Sequence, residues 1–259
     1  MSRLSKIYHY SVVLVLFLII VLPMAATFIY SISSSWSSNI LPDGFSISHY
    51  KVLLSDPRFL KALLNSLLVC FTAIFLAILF LFPVVFCANF YFLNLKNVMS
   101  FISVLPFAIA PIVLSTGLLN LYSDTISGTP YILIGCYFCI AVPFIYRTID
   151  NNITALNLKE IVYSNYILGN GIFRAIFRVI IPNLKDSILI AVFLSFSFLI
   201  GEFLYANILV GTQFETLQVY LYNIKNKSGH VSSAAIVSYL LLIFIANFIS
   251  SYISHRKKV

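Results

Sequence analysis

A chain of 259 residues that is 61% apolar and only 9% charged cannot hide its apolar surface as a water-soluble fold, since soluble domains carry about a quarter charged residues. The formal charge of +8 does not point to nucleic acid, because the basic residues stand scattered at the ends of apolar runs, where cytoplasmic anchoring charges belong. With a mean hydropathy of +1.00, the chain reads as an all-α, polytopic membrane protein.

Six continuous apolar stretches are long enough to span, a membrane helix needing about 20 apolar residues. They cover residues 10–30, 63–88, 98–122, 130–148, 187–210 and 232–253. None alternates as a barrel strand must. The first follows Arg3 and Lys6, as a signal peptide would, but it runs from Tyr10 to Tyr30 and Ala25-Ala26-Thr27 is a poor cleavage site, so it reads as a retained anchor. Residues 31–62 form an external segment in which Trp36, Pro42, Gly44 and Tyr50 indicate an ordered, interfacial piece. Within it, Asp56-Pro57 predicts a helix start, with Asp56 capping free N–H groups and Pro57 at the first helical position. The third span carries Pro106 and Pro111, which predict a kinked or broken helix. Such breaks are tolerated in lipid where the freed backbone is covered by protein or faces a watery cavity, so Pro106 and Pro111 are candidates for a translocation pathway. Pro23, Pro83 and Pro143 are weaker cases.

Residues 149–186, between the fourth and fifth spans, are too polar for membrane and too short for a domain. Tyr163, Tyr166, Asn170, Phe173 and Phe177 recur at alternating spacings of three and four and share one face if helical. That aromatic face suits a groove on a partner or the ends of the protein's own helices. Gly169 and Gly171 are expected to split the segment into two short helices. Arg174 and Arg178 are suited to acidic groups or, by default so close to a bilayer, to membrane lipid headgroups. In the fifth span Glu202 follows Gly201 within apolar sequence. An ionisable group at such depth is a functional candidate; Glu202 would line the path and favour a cationic solute, or else sit near the outer interface or bond to a neighbouring helix end.

With the N-terminus inside, the inner segments hold Arg3, Lys6, Lys96, Arg147, Lys159, Arg174, Arg178, Lys185, Arg256, Lys257 and Lys258. The outer ones hold Lys51, Arg58, Lys61, Lys225 and Lys227. Eleven against five predicts that both termini, and segment 149–186, are cytoplasmic. No catalytic set, metal cluster or cofactor site is evident. Cys136 and Cys139 lie in an apolar span without nearby ligands, and His9, His49, His230 and His255 are dispersed. There is no Walker A sequence, so the chain does not bind ATP in the P-loop manner.

The run from Leu168-Gly169-Asn170-Gly171 to Val179-Ile180-Ile181-Pro182 resembles the cytoplasmic loop of binding-protein-dependent ABC importer permeases. Three outer pieces, Leu41-Pro42-Asp43-Gly44-Phe45, Asp56-Pro57-Arg58-Phe59 and Asn65-Ser66-Leu67, resemble the polyamine- and aminophosphonate-type members. Glu215-Thr216-Leu217-Gln218-Val219-Tyr220 is similar to an external Thr-Leu-Pro-Val region of the family, with Gln218 in place of the proline. The chain departs from the family where a Glu-Ala-Ala triplet begins six residues before the glycine, for here it reads Tyr163-Ser164-Asn165, which removes an expected carboxylate contact.

The resemblance implies a single transmembrane permease domain over residues 1–259 in a bacterial inner membrane, with the six-helix architecture of these importers. It implies a second permease subunit, ABC ATPase subunits docking on the loop at Tyr163, Tyr166, Gly169, Asn170, Phe173, Phe177 and Pro182, and a periplasmic solute-binding protein. Such a chain does no bond chemistry. Its solute would be a polyamine or an organophosphonate, with ferric iron as a further option. The alternative classes are an integral-membrane enzyme, which needs convergent polar groups in the spans, and an ion-coupled secondary carrier, which wants several buried carboxylates or paired half-helices.

Overall fold

The computed structural model describes residues 3–36, 42–123, 125–226 and 228–255. Leu41, Lys227, Arg256, Lys257 and Lys258 lie outside the described residues, as do the side chains of Arg3, Lys6 and His255. The described chain is almost wholly helical and forms two compact units, Met1–Leu60 with Leu221–Leu242, and Lys61–Tyr220 with Ile243–Val259.

The first unit begins with α1 (Arg3–Ile32). Most of its apolar stretch from Tyr8 to Ile32 is left uncovered, with Leu14, Phe17, Ile20 and Leu22 all more than half exposed. A helix apolar all round and uncovered belongs against lipid or another apolar helix. The chain then folds back through a short antiparallel contact, Ser33 against Phe45, where Ser34 N–H donates to Gly44 O at 2.8 Å and Ser46 N–H to Ile32 O at 2.7 Å. Helix α2 (Ser48–Ser55) follows, and its Tyr50 hydroxyl meets Ser31 Oγ at 2.7 Å. The expected start at Asp56-Pro57 is observed: α3 (Pro57–Phe90) opens on the proline, and Asp56 Oδ1 accepts the Arg58 N–H at 2.9 Å.

The second unit holds the rest of α3, then α4 (Leu93–Ile102), α5 (Leu105–Ala108), α6 (Pro111–Tyr122) and α7 (Pro130–Ala155). Its core is α7, whose Leu133, Tyr137, Ala141, Ile145 and Ile149 are buried. After α7 come α8 (Leu158–Ile167), α9 (Ile172–Ala175), a π turn (Ile176–Ile180), α10 (Ile181–Leu199) and α11 (Leu204–Leu209). Helix α10 lies along α7, and α11 packs on α6 and α7. The first half of α3 is tied to residues 215–217: Ser66 Oγ accepts the Leu217 N–H at 2.7 Å and Asn65 Nδ2 donates to Glu215 O at 3.0 Å. Two pieces of sequence that resembled the same family's outer face are thus bonded to each other. Helices α12 (Leu217–Ile224) and α13 (Gly229–His255) close the chain.

Among the described residues, five helices are long and apolar enough to cross a membrane, and a sixth span is obtained if the bent pair Asn94–Ala108 and Pro111–Tyr122 counts as one. Two sequence expectations need correction, those for the fifth span and for segment 149–186, whereas the break expected in 98–122 is observed, as two arms at 89°. Ile109 and Ala110 leave the helical region, with ψ of 130° each; for Ala110 the cause is the ring of Pro111, which disfavours the helical region for the residue before it. Pro106 and Pro111 each stand in the first turn of a helix, where a missing N–H costs nothing. The fifth span is not 187–210: the long apolar helix runs from Ile172 to Leu199 and ends before Gly201 and Glu202. Segment 149–186 is correspondingly shorter as a non-spanning piece, since α7 continues to Ala155 and the next long helix has begun by Ile172.

Candidate functional site

The segment between α7 and α10 is built from two turns. Asn157 adopts a left-handed conformation (φ 47°), which Asn tolerates, and this reverses the chain from α7 into α8. Helix α8 ends when Gly169 takes φ +77°. The Asn170 N–H returns to Asn165 O at 3.2 Å and the Gly169 N–H to Tyr166 O at 2.9 Å, the paired bonds of a Schellman cap. A Cβ at Gly169 would meet nothing within 4 Å, so glycine is required here by the backbone angle and not by a neighbour. Asn170 adds a side-chain bond to Asn165 Oδ1 at 3.0 Å and accepts from Arg174.

The expected second short helix is not separate. From Ile172 the chain passes through α9 and the π turn directly into α10. Pro182 lacks the N–H that an α-helix would need from it, and the widened turn absorbs the defect: Ile181 N–H bonds Ile176 O, five residues back. Asn183 Nδ2 also donates to Val179 O at 2.7 Å. With the helix interrupted at 168–171, Tyr163, Tyr166, Asn170, Phe173 and Phe177 do not lie on one helical face. Tyr163, Phe173 and Phe177 are exposed. Tyr166 is bonded to the Tyr91 hydroxyl, which, with partial burial, pushes its phenol up to about 12. Phe173 and Phe177 line an apolar groove of about 530 Å³ with Phe82, Pro83 and Phe86 of α3.

Pro106, Pro111 and Glu202, which sequence singled out separately, line one cavity of about 430 Å³. Both helix breaks therefore open on the same space. Phe107, Phe198, Phe203 and Tyr205 share the wall, and Phe107, Phe144 and Phe198 pack edge-on or tilted at centroid distances of 5.2–5.8 Å. Phe198 and Phe203 are the aromatics that flank Glu202 in sequence, whereas Phe107, Phe144 and Tyr205 were missed from sequence, although Phe107 adjoins Pro106. The Glu202 carboxylate accepts the Leu204 N–H on Oε1 (3.1 Å) and the Tyr205 N–H on Oε2 (3.0 Å). It thereby caps the first turn of α11, where negative charge is favoured. Its carbonyl accepts from the Tyr137 hydroxyl at 3.3 Å, and the carbonyl of Ile200 accepts from Gln218 Nε2 at 3.4 Å. Gln218, standing where the permeases that this segment resembles have proline, thus supplies a donor that proline lacks. Among the described residues no three His, Cys, Asp or Glu side chains are grouped to hold a metal ion.

No protein-family model matches the chain. It is 26% identical over 226 residues to the putative 2-aminoethylphosphonate transport system permease protein PhnV of Salmonella typhimurium, covering 86% of this chain and 84% of that protein. The protein of the same name from Salmonella typhi is 25% identical over 226 residues. Among solved structures, 98% of the chain matches 96% of a chain of a bacterial alginate ABC transporter, in complex with alginate pentasaccharide-bound periplasmic protein, with a TM-score of 0.73 at 16% identity. A second, a bacterial ABC transporter involved in the import of the acidic polysaccharide alginate, matches 98% of the chain with a TM-score of 0.68 at 17% identity. The fold is that of an ABC importer permease, and the relatives are transport permeases, not enzymes.

Proposed function

We propose that the chain is a permease subunit of a binding-protein-dependent ABC importer in a bacterial inner membrane, working as one transmembrane domain over residues 1–259. Two such subunits, identical or different, complete the pathway; ATPase subunits dock on the cytoplasmic segment, and a periplasmic solute-binding protein delivers the solute. The observation that carries this reading is α8, a short helix lying between two long apolar helices and closed by the Gly169 cap, with Tyr163 exposed on it. The missing Glu-Ala-Ala carboxylate leaves the docking contact to the aromatic residues Tyr163, Phe173 and Phe177 and to shape.

The translocation path runs through the cavity of Pro106, Pro111 and Glu202. A carboxylate beside aromatic faces suits an ammonium group, and the relatives carry the name of an aminophosphonate system, so we place an organophosphonate bearing an amine ahead of a polyamine. The test is uptake by proteoliposomes holding the complete complex, with its own ATPase and binding protein. ATP-dependent accumulation of 2-aminoethylphosphonate is expected, and putrescine should compete poorly. Accumulation driven by a proton gradient without ATP would instead mark a secondary carrier.

The same reading fixes an orientation. Reporters fused after Lys258 and after Ser228 are expected to report cytoplasm and exterior respectively, with both termini inside. The opposite pattern would place α8 outside, where no ATPase can reach it, and would end the proposal.

A further inference from the structure

The cytoplasmic end of α7 carries a polar cluster that the transport reading does not use. Asp150 Oδ1 accepts from Asn89 Nδ2 at 2.7 Å and from Lys96 Nζ at 3.1 Å. Lys96 Nζ also donates to Asn89 Oδ1 and to Thr154 Oγ1, each at 3.3 Å, and Thr154 Oγ1 in turn donates to Asp150 O at 3.1 Å. Asn89 and Asp150 are buried, at 1% and 8% exposure. One turn further along α4, the Tyr146 hydroxyl of α7 donates to Lys96 O at 3.1 Å and meets Ser100 Oγ at 3.3 Å. Four side chains from α3, α4 and α7 thus satisfy one another in a site where an unpartnered charge is strongly disfavoured.

Its place in the chain gives the cluster a consequence. Asp150 and Thr154 stand on the last turns of α7, just before the Asn157 reversal into α8. Lys96 and Ser100 stand on α4, which leads through α5 to the break at Ile109 and Ala110 beside the cavity. Aliphatic contacts alone let helices slide, whereas a lysine held by three acceptors has one geometry. We propose that Lys96, Asp150 and Asn89 form a latch that makes the inner arm of the broken span move with the root of the cytoplasmic segment. Asp150 and Lys96 are positioning residues: they carry displacement of α8 to the cavity wall without touching solute or ATPase. The proposal rests on the reading of α8 as the ATPase-docking element.

The discriminating variant is the neutral double substitution Lys96→Met with Asp150→Asn, because removing both charges leaves neither stranded and spares folding better than either single change. In proteoliposomes of the complete complex, the double variant is expected to keep its ATPase bound and hydrolysing while solute moved per ATP falls at least tenfold. An unchanged ratio overturns the latch and leaves the cluster a packing feature. A second measurement leaves the cluster intact. Spin labels at Val98→Cys on α4 and Ala155→Cys on α7, with Cys70, Cys87, Cys136 and Cys139 replaced by alanine, are expected to keep one separation with and without trapped ATP. A separation that changes on ATP binding overturns the latch even if the double variant fails to reach the membrane. Failure of the unsubstituted complex to couple ATP to uptake would strike the underlying transport reading, and so is distinguishable from failure of the latch.

Discussion

Replacing Gly169 by valine is expected to abolish binding-protein-stimulated ATP hydrolysis and solute uptake while leaving the protein in the membrane at near-normal abundance; replacing it by asparagine is expected to preserve most of both. The contrast follows from the backbone. Gly169 sits at φ +77° in open space, with no heavy atom near a built Cβ. A left-handed residue with a side chain costs roughly 1–2 kcal/mol, and a β-branched one is worse placed still, whereas asparagine visits this region readily. Valine would therefore displace the two cap bonds from Gly169 N–H to Tyr166 O and from Asn170 N–H to Asn165 O, unwinding the end of α8 and swinging Phe173 away from its place. An aspartate at the same position is a weaker test, since it too tolerates positive φ and its Cβ would meet nothing within 4 Å. Co-purification of the ATPase with the two variants reads the result. If valine and asparagine behave alike, the conformation at Gly169 does not matter for docking, and the absent Glu-Ala-Ala triplet becomes the more telling feature of the segment.

The elements that sequence revealed were those set by local rules. Continuous apolar runs located the spans apart from the fifth, and Asp56-Pro57 marked the start of α3 because capping and the proline ring act within a few residues. The proline pair in the third span announced a break, but its 89° angle depends on how α6 packs against α11, which involves residues nearly a hundred positions away. The continuity of α10 through Pro182 was hidden because a π turn replaces the lost bond, a solution with no sequence signature. Of the candidate site, Pro106, Pro111 and Glu202 could each be named, yet nothing local said that they share a cavity. Asp150 was passed over because a carboxylate at the end of an apolar run looks like a loop residue. Its burial becomes evident only when Asn89 and Lys96 are brought to it by two other helices.

Glu202→Gln is expected to lower the uptake of an amine-bearing solute about tenfold, equivalent to ~1.4 kcal/mol, at unchanged membrane abundance. The carboxylate serves two ends at once. Its two oxygens hold the first N–H groups of α11, at Leu204 and Tyr205, and its charge faces a cavity walled by Phe107, Phe198 and Tyr205. Glutamine keeps the shape but has one carbonyl oxygen in place of two, so one N–H loses its acceptor, at a local cost of about 1–3 kcal/mol. That structural cost is the same whatever solute is present. The loss of negative charge is not: it weakens attraction for an ammonium group and leaves a neutral solute indifferent. The informative quantity is therefore the ratio of half-saturation concentrations for 2-aminoethylphosphonate and for an uncharged-amine analogue such as its N-acetyl derivative. If Glu202 faces the pathway, the substitution raises the first and does not raise the second, whose phosphonate is only less repelled. If Glu202 acts only as the cap of α11, both solutes lose rate together without a change in their ratio, and the cavity's preference for an amine must be withdrawn.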